Sequence, residues 1–157
     1  MPRPRRTRLP AFDTARTAID PARMKIEVEA PGQEVYEALT GRLVDFNRTK
    51  VNWATTMFTI VLRDESGGVR GGAHGVVRMK AVEIRGVWLD GDLRDGGFGA
   101  KIIRAVEDEG RRRGARAALL DTYEFQARGF YERLGYTVFG TFNYPEGVAR
   151  YYLSRAL

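Results

Sequence analysis

Val87-Trp88-Leu89-Asp90-Gly91-Asp92-Leu93-Arg94-Asp95-Gly96-Gly97-Phe98-Gly99-Ala100 decides how this chain is read. It runs from the end of an apolar strand, through a polar and glycine-rich turn, into the start of a helix. The helix is expected to continue to about Arg112, with an inward stripe of Phe98, Ile102, Ile103 and Val106. Gly110 and Gly114 bracket its far end, where Arg111, Arg112 and Arg113 oppose the negative pole of the helix dipole. A turn that leaves a strand and opens a helix presents free main-chain N–H groups at the positive pole, which suits an anion such as phosphate. Glycines at 96, 97 and 99 remove the Cβ atoms that would hold a pyrophosphate off. Two common phosphate motifs do not fit. No Gly-Lys-Ser/Thr follows, and Gly97-Phe98-Gly99-Ala100-Lys101-Ile102 lacks the third glycine of a dinucleotide turn. On these residues alone, an anion cradle and a tight helix entry that holds nothing both remain open.

Upstream, Ala81–Leu89 reads as a strand with Gly86 inside it, a position that marks a bulge or a close approach by another backbone or a ligand. Met57–Leu62 and Val69–Met79 are strands joined by the turn Asp64-Glu65-Ser66-Gly67-Gly68, which makes a hairpin. Before them, Gln33 to about Asn47 places Val35, Leu39, Leu43 and Phe46 on one helical stripe after the breaker Pro31-Gly32. Downstream come a short strand at Ala115–Leu120, a helix at Tyr123–Leu134 with Phe125, Phe130 and Leu134 facing inward, and a capping Gly135. Strands at Tyr136–Phe142 and Val148–Leu153 close the chain around Asn143-Tyr144-Pro145-Glu146-Gly147. The helix between the strands at 81–89 and 115–120 requires those two to be parallel. The expected fold is a single-domain α/β sheet, mixed and mostly antiparallel, with helices on both faces and one parallel strand pair.

Composition bounds the chemistry. The 157 residues, 43% apolar and 29% charged, suit one soluble domain. The absence of cysteine excludes disulfides, thiolate metal sites and a cysteine nucleophile. A single histidine, His74, leaves little for a histidine metal site or a serine–histidine–aspartate triad. No metal is expected. No apolar run reaches the roughly 18 residues of a membrane-spanning helix, and no apolar stretch follows Arg5-Arg6 as a secretory leader needs. A cytoplasmic protein without a membrane partner is therefore expected. The formal net charge is +6, of which residues 1–23 carry four units, with six arginines against two aspartates. Residues 1–23 read as a basic, flexible arm and 24–157 as the folded domain, with ordered structure beginning near Met24. A nucleic-acid partner for that arm is the lesser reading, a solvated leader the greater.

The turn resembles a known signature. Arg94-x-x-Gly97-x-Gly99 matches the (Gln/Arg)-x-x-Gly-x-(Gly/Ala) pattern of the Gcn5-related N-acetyltransferases, and Val87-Trp88-Leu89-Asp90 is the kind of strand that pattern follows. Ala127-Arg128-Gly129-Phe130-Tyr131-Glu132-Arg133-Leu134-Gly135-Tyr136 is similar to the family's second motif. The resemblance covers roughly residues 33–157. It implies the family's acyl-CoA N-acyltransferase fold, acetyl-CoA as cofactor, and an amine acceptor, most simply a small molecule. A protein lysine or N-terminal amine, or a CoA-binding module without turnover, are the alternatives. It further implies that the main chain of Arg94, Asp95, Gly96, Gly97, Phe98, Gly99 and Ala100 binds the pyrophosphate. The segment Val87, Trp88 and Leu89 lies along the pantetheine arm, with the backbone of Val87 and Leu89 pairing to it across a splay between the two parallel strands. Tyr131 corresponds to the general acid that protonates the departing thiolate.

Glu83, eleven residues before Arg94, stands where some members carry a carboxylate base; Asp90, Asp92 and His74 are weaker substitutes. Where many members have an asparagine seven residues before the tyrosine, this chain has Glu124, so either Gln126 supplies the polar contact or that contact is absent. Asp95 stands in the turn where a basic or small residue is common. Tyr144, Tyr151 and Tyr152 are candidates for the acceptor pocket. Members often pair as homodimers, so a homodimer is possible here. The chemistry is coherent without the resemblance: an alkylamine with a pKa near about 10 must lose a proton before it attacks a thioester, a carboxylate can accept that proton, and direct transfer follows from the lack of cysteine.

Overall fold

A computed structural model describes residue 20 and residues 23–157. Of the basic arm, only Asp20 and Arg23 fall among the described residues. The chain divides into two compact units, residues 1–40 and 41–157. Met24 to Gly32 carries no regular element and is exposed. The first helix, α1 (Gln33–Arg48), crosses the division between the units, and its stripe of Val35, Leu39, Leu43 and Phe46 is exposed. No helix among the described residues is long and apolar enough to cross a membrane.

The second unit holds a six-stranded sheet. Its strands are β1 (Thr55–Arg63), β2 (Val69–Arg78), β3 (Ala81–Leu89), β4 (Ala117–Tyr123), β5 (Thr137–Asn143) and β6 (Ala149–Ala156), in the spatial order β1-β2-β3-β4-β6-β5. Every neighbouring pair is antiparallel except β3–β4, which is parallel. The crossover between those two is α2 (Phe98–Arg112), and α3 (Arg128–Arg133) follows β4. The mixed sheet with one parallel pair is the architecture expected from the sequence.

Alternation sorts the side chains. Val82 and Ile84 on β3, Ala118 and Leu120 on β4 and Leu153 on β6 point to one face, where they meet Ile102, Ile103 and Val106 of α2. Tyr131 and Tyr136 join the same cluster from α3 and the turn after it. Val82, Ile103, Val106 and Leu153 are fully buried, each worth about 1.5–3 kcal/mol relative to exposure. The other face carries Glu83, Arg85, Leu119, Asp121, Tyr123, Arg150 and Tyr152, as the register requires.

Two elements differ from expectation. The helix expected at Tyr123–Leu134 is confined to Arg128–Arg133, because β4 runs on to Tyr123 in register with Arg150 of β6. The intervening residues form a turn, with the Gln126 side chain folded back on the Tyr123 amide at 2.9 Å. Phe125, expected to face inward, is 71% exposed and stacks on Tyr123 instead. The strand expected at Ala115–Leu120 begins and ends later, at Ala117–Tyr123.

Candidate active site

The parallel pair is short. β3 and β4 match only at Ala81–Ala117, Val82–Ala118 and Glu83–Leu119. Beyond Glu83, β3 continues for six residues and β4 for four past Leu119, with no pairing between them. β4 keeps its bonds to β6 over its whole length. The two strands therefore splay, and the edge of β3 that faces the gap carries main-chain groups without a sheet partner. Such groups want hydrogen bonds and are a natural docking line for an extended, amide-bearing ligand.

A bulge turns β3 at this point. Gly72 pairs with Trp88 and His74 with Arg85, so Ala73 stands opposite both Gly86 and Val87. Gly86 has φ +56°, a conformation that suits glycine. The extra residue changes the phase of the strand: Val82 and Ile84 point into the core before it, Val87 and Leu89 after it. Trp88 is consequently exposed on the opposite face, with the Arg94 guanidinium 5.6 Å from its ring centroid.

The turn after β3 is fixed at its root. Arg70 of β2 bonds Asp90 at 2.7 Å and Asp92 at 2.6 Å, and the Trp88 indole donates to Asp90 at 3.0 Å. Arg70, and after it Trp88, hold the Asp90 carboxyl below its ordinary range. Arg94 Nε lies 3.3 Å from the Leu89 carbonyl, so that carbonyl is engaged within the chain. The backbone then turns sharply through Asp95 (φ +64°) and Gly97 (φ +77°) into α2. Asp95 is exposed, and aspartate tolerates the left-handed region better than most residues. The helix's first inward bond from this region is Lys101 N–H to the Gly97 carbonyl at 3.2 Å. Among the described residues, no amide from Asp95 to Ala100 donates a well-aligned bond to the chain. Six consecutive amides are thus left free at a helix N-terminus, where an anion is favoured.

The glycines do different jobs. A Cβ on Gly97 would meet nothing within 4 Å, so glycine serves the positive φ there and leaves the approach open. A Cβ on Gly99 would lie 3.2 Å from Cζ of Phe130, so that glycine lets α3 pack against the start of α2.

Tyr131 sits on α3 and is 7% exposed. Its ring packs edge-on against Phe130 and Tyr136, at 5.1 and 6.1 Å between centroids. Among the described residues, no hydrogen bond engages its hydroxyl, yet no buried side-chain polar atom lacks a partner. The ring is therefore enclosed while the hydroxyl oxygen still reaches solvent. Burial, and secondarily the charge of Asp121, push the phenol above its ordinary pKa, so it stays protonated and able to donate.

Glu83 is half-buried at the apex of the splay. It accepts from Arg85 Nη2 at 2.7 Å and has Arg78 Nη2 at 3.8 Å. His74, across β2, shares a 3.0 Å contact between its Nδ1 and Thr59 Oγ1. Gln126 has its carbonyl oxygen committed to the turn, 3.2 Å from Thr122 Oγ1 as well as 2.9 Å from Tyr123 N, which leaves its amide nitrogen for any outside contact. Glu124 ties β4 to β6: its N–H bonds the Ala149 carbonyl and its carboxylate accepts from the Ala149 N–H, both at 2.9 Å. Its acidity is thus used within the fold. Tyr151 lies on the core side, with the Arg128 guanidinium 4.4 Å from its ring centroid, whereas Tyr152 lies on the opposite face. Sequence reading passed over Asp121 and Arg150, which the β4–β6 pairing joins at 2.7–2.8 Å beside the splay. Only strand register, invisible in one sequence, brings them together.

Residues 25–136 match the model of the acetyltransferase (GNAT) family. A blasticidin-S acetyltransferase of Streptomyces morookaense is 32% identical over 95 residues, spanning 59% of this chain and 70% of that protein. The crystal structure of an acetyltransferase from Bacillus cereus superposes with a TM-score of 0.76 at 23% identity, covering 84% of this chain and 98% of the other. An aminoglycoside 6'-N-acetyltransferase complexed with coenzyme A gives a TM-score of 0.58 at 14% identity, over 64% and 72% of the two chains. A mixed sheet splayed at its one parallel pair, with a glycine-rich turn at the mouth, is an acyltransferase fold. The chain belongs to the acetyltransferase (GNAT) family, and it is an N-acetyltransferase.

Proposed function

We propose that the protein moves an acetyl group directly from acetyl-CoA to the primary amine of a small molecule. The observation that carries this reading is the unpaired edge of β3, which opens at one end on six free amides and lies in the same unit as the accessible hydroxyl of Tyr131. These features fit coenzyme A: Asp95 to Ala100 would hold its diphosphate, and the main chain of β3 from Val87 would accept its amide-bearing arm. Because the Leu89 carbonyl already receives Arg94, pairing falls chiefly on the Val87 side. When bound, acetyl-CoA supplies an activated acyl thioester.

The remaining work belongs to the chain. Glu83 takes the proton of the acceptor ammonium, through water, and Arg85 keeps its carboxylate in place. Tyr131 donates a proton to the departing sulfur, a role that requires the un-ionised phenol which burial maintains. The relatives named for blasticidin-S and aminoglycoside acceptors support a small-molecule amine over a protein one.

Two measurements test this. Calorimetric titration with acetyl-CoA should give binding that Gly97→Val weakens at least about tenfold, since a β-branched residue is disfavoured at φ +77° by about 1–2 kcal/mol and its bulk enters the cradle. Thiol release should be detectable with at least one member of an amine panel. Absence of acetyl-CoA binding would sink the proposal. Glu83→Gln should lower kcat/KM for a responsive amine at least about tenfold, and an unchanged kcat/KM would remove Glu83 as the base.

A further inference from the structure

The face of the sheet opposite the core carries a built cluster beside the splay. Asp121 lies two residues past the last β4 position that pairs with β3, on the same face as Glu83 and Arg85. Arg150 of β6 holds it from one side only: Nε at 2.8 Å and Nη2 at 2.7 Å both converge on Oδ2. Among the described residues, no bond engages Oδ1. The carboxylate is thus oriented by Arg150, with one oxygen turned free. Its place two residues past Leu119, the partner of Glu83, sets it beside the open end of the parallel pair.

Aromatic rings flank the guanidinium that holds this carboxylate. The Arg150 guanidinium lies 5.4 Å from the ring centroids of both Tyr123 and Tyr152. Tyr123 and Tyr144 lie 6.0 Å apart between ring centroids; this neighbour raises the Tyr123 phenol, while Tyr123 and Arg150 together draw Tyr144 down. Phe125 stacks on Tyr123 at 5.3 Å with an interplanar angle of 11°, and remains exposed. Tyr123 and Tyr152 stand on the paired strands β4 and β6, and Phe125 and Tyr144 extend the same ring surface from adjoining loops.

We propose that Asp121 anchors the ammonium group of the acceptor, and that the platform of Tyr123, Phe125, Tyr144 and Tyr152 selects amines attached to a flat or aromatic body. This rests on the acetyl-transfer reading for its biological meaning, and it concerns binding of the protonated amine, the form that prevails at neutral pH. An ammonium meets a carboxylate oxygen that is fixed and unused, while the body of the molecule covers exposed ring surface. A long flexible aliphatic amine gains only the first of these contacts.

Three probes separate the parts: tyramine, which has ring and ammonium; butylamine, which has the ammonium alone; and 4-ethylphenol, which has the ring alone. Titrated calorimetrically into the full-length protein in the presence of coenzyme A, tyramine should bind at least about tenfold more tightly than either of the others. Asp121→Asn should weaken tyramine by about tenfold and leave 4-ethylphenol unchanged. Tyr123→Ala should weaken tyramine and 4-ethylphenol alike and leave butylamine unchanged. Melting temperature and coenzyme A affinity report whether each variant folds, and the three-probe comparison on the wild type stands even where a variant does not. Failure of tyramine to bind, equal binding of tyramine by Asp121→Asn, or butylamine binding as tightly as tyramine would overturn the proposal. The separate acetyl-CoA titration reads the transfer reaction, so loss of that reading is distinguishable from loss of the anchor.

Discussion

Tyr131→Phe should lower kcat by about a hundredfold, within the range that a positioned proton donor contributes, while acetyl-CoA affinity changes less than about twofold. The contrast follows from where the two halves of the side chain lie. The ring is enclosed among Phe130, Tyr136 and the core, and phenylalanine preserves every one of those contacts. The hydroxyl has no partner among the described residues, so its removal orphans nothing and should not destabilise the fold. What disappears is a donor whose pKa is raised by burial and, to a lesser degree, by Asp121. Such a phenol is protonated across the whole neutral range, so the wild-type rate should show no limb from Tyr131 below pH about 10. Steady-state kinetics with a responsive amine, paired with calorimetry of acetyl-CoA, measures both quantities. A kcat within twofold of wild type would take Tyr131 out of the reaction and return it to the core.

The second large effect concerns stability. Glu107→Ala should destabilise the protein by about 1–3 kcal/mol, because the buried Tyr136 hydroxyl loses its acceptor, while Arg155, with its side chain 35% exposed, is left to solvent. Glu107 is 2% exposed on the inner face of α2. It accepts from the Tyr136 hydroxyl at 2.8 Å and from Arg155 Nη1 at 3.1 and 3.3 Å. One carboxylate thereby ties the crossover helix to β6 and to the turn after α3, the elements that frame the splay. Urea unfolding should place the midpoint of the variant well below wild type, with Glu107→Gln intermediate because its amide oxygen still accepts from Tyr136. A loss under about 1 kcal/mol would mean that the network relaxes around the gap. Burial first, then the Glu107 bond, pushes the Tyr136 phenol up. The stabilisation that accompanies this shift is present below the unfolded phenol pKa of about 10 and is lost as pH rises beyond it.

Much of the site was legible from local chemistry. A strand, a glycine-rich turn and a helix can be read from composition and period alone, and the structure places each of them where the sequence put it. Gly86 inside a strand pointed to a bulge, and the bulge is there, with its positive φ. Tyr131 was found through its motif, although no property of a lone tyrosine indicates that its ring is buried and its hydroxyl open. Phe125 lies outside the helix because β4 runs on to Tyr123 and the chain then turns through residues 124–127 before α3 begins. Hydrogen bonds between β4 and β6, which come from residues about 30 positions apart, keep the chain extended as far as Tyr123. Gln126 is the residue expected to reach a cofactor, with Glu124 standing where the family's asparagine would be. Their polar atoms are largely spent on the turn and on Ala149, contacts that no single sequence displays.

By itself the sequence determined the order of elements, the parallel crossover and the free amides at the head of α2, because each depends on residues adjacent in the chain. Tertiary structure decided the splay past Glu83 and the pairing of Asp121 with Arg150. It also set the split environment of Tyr131, ring inside and hydroxyl outside. These depend on the register between strands far apart in the chain, and register is settled by which whole set of side chains packs into one core, a property that no local run of residues contains.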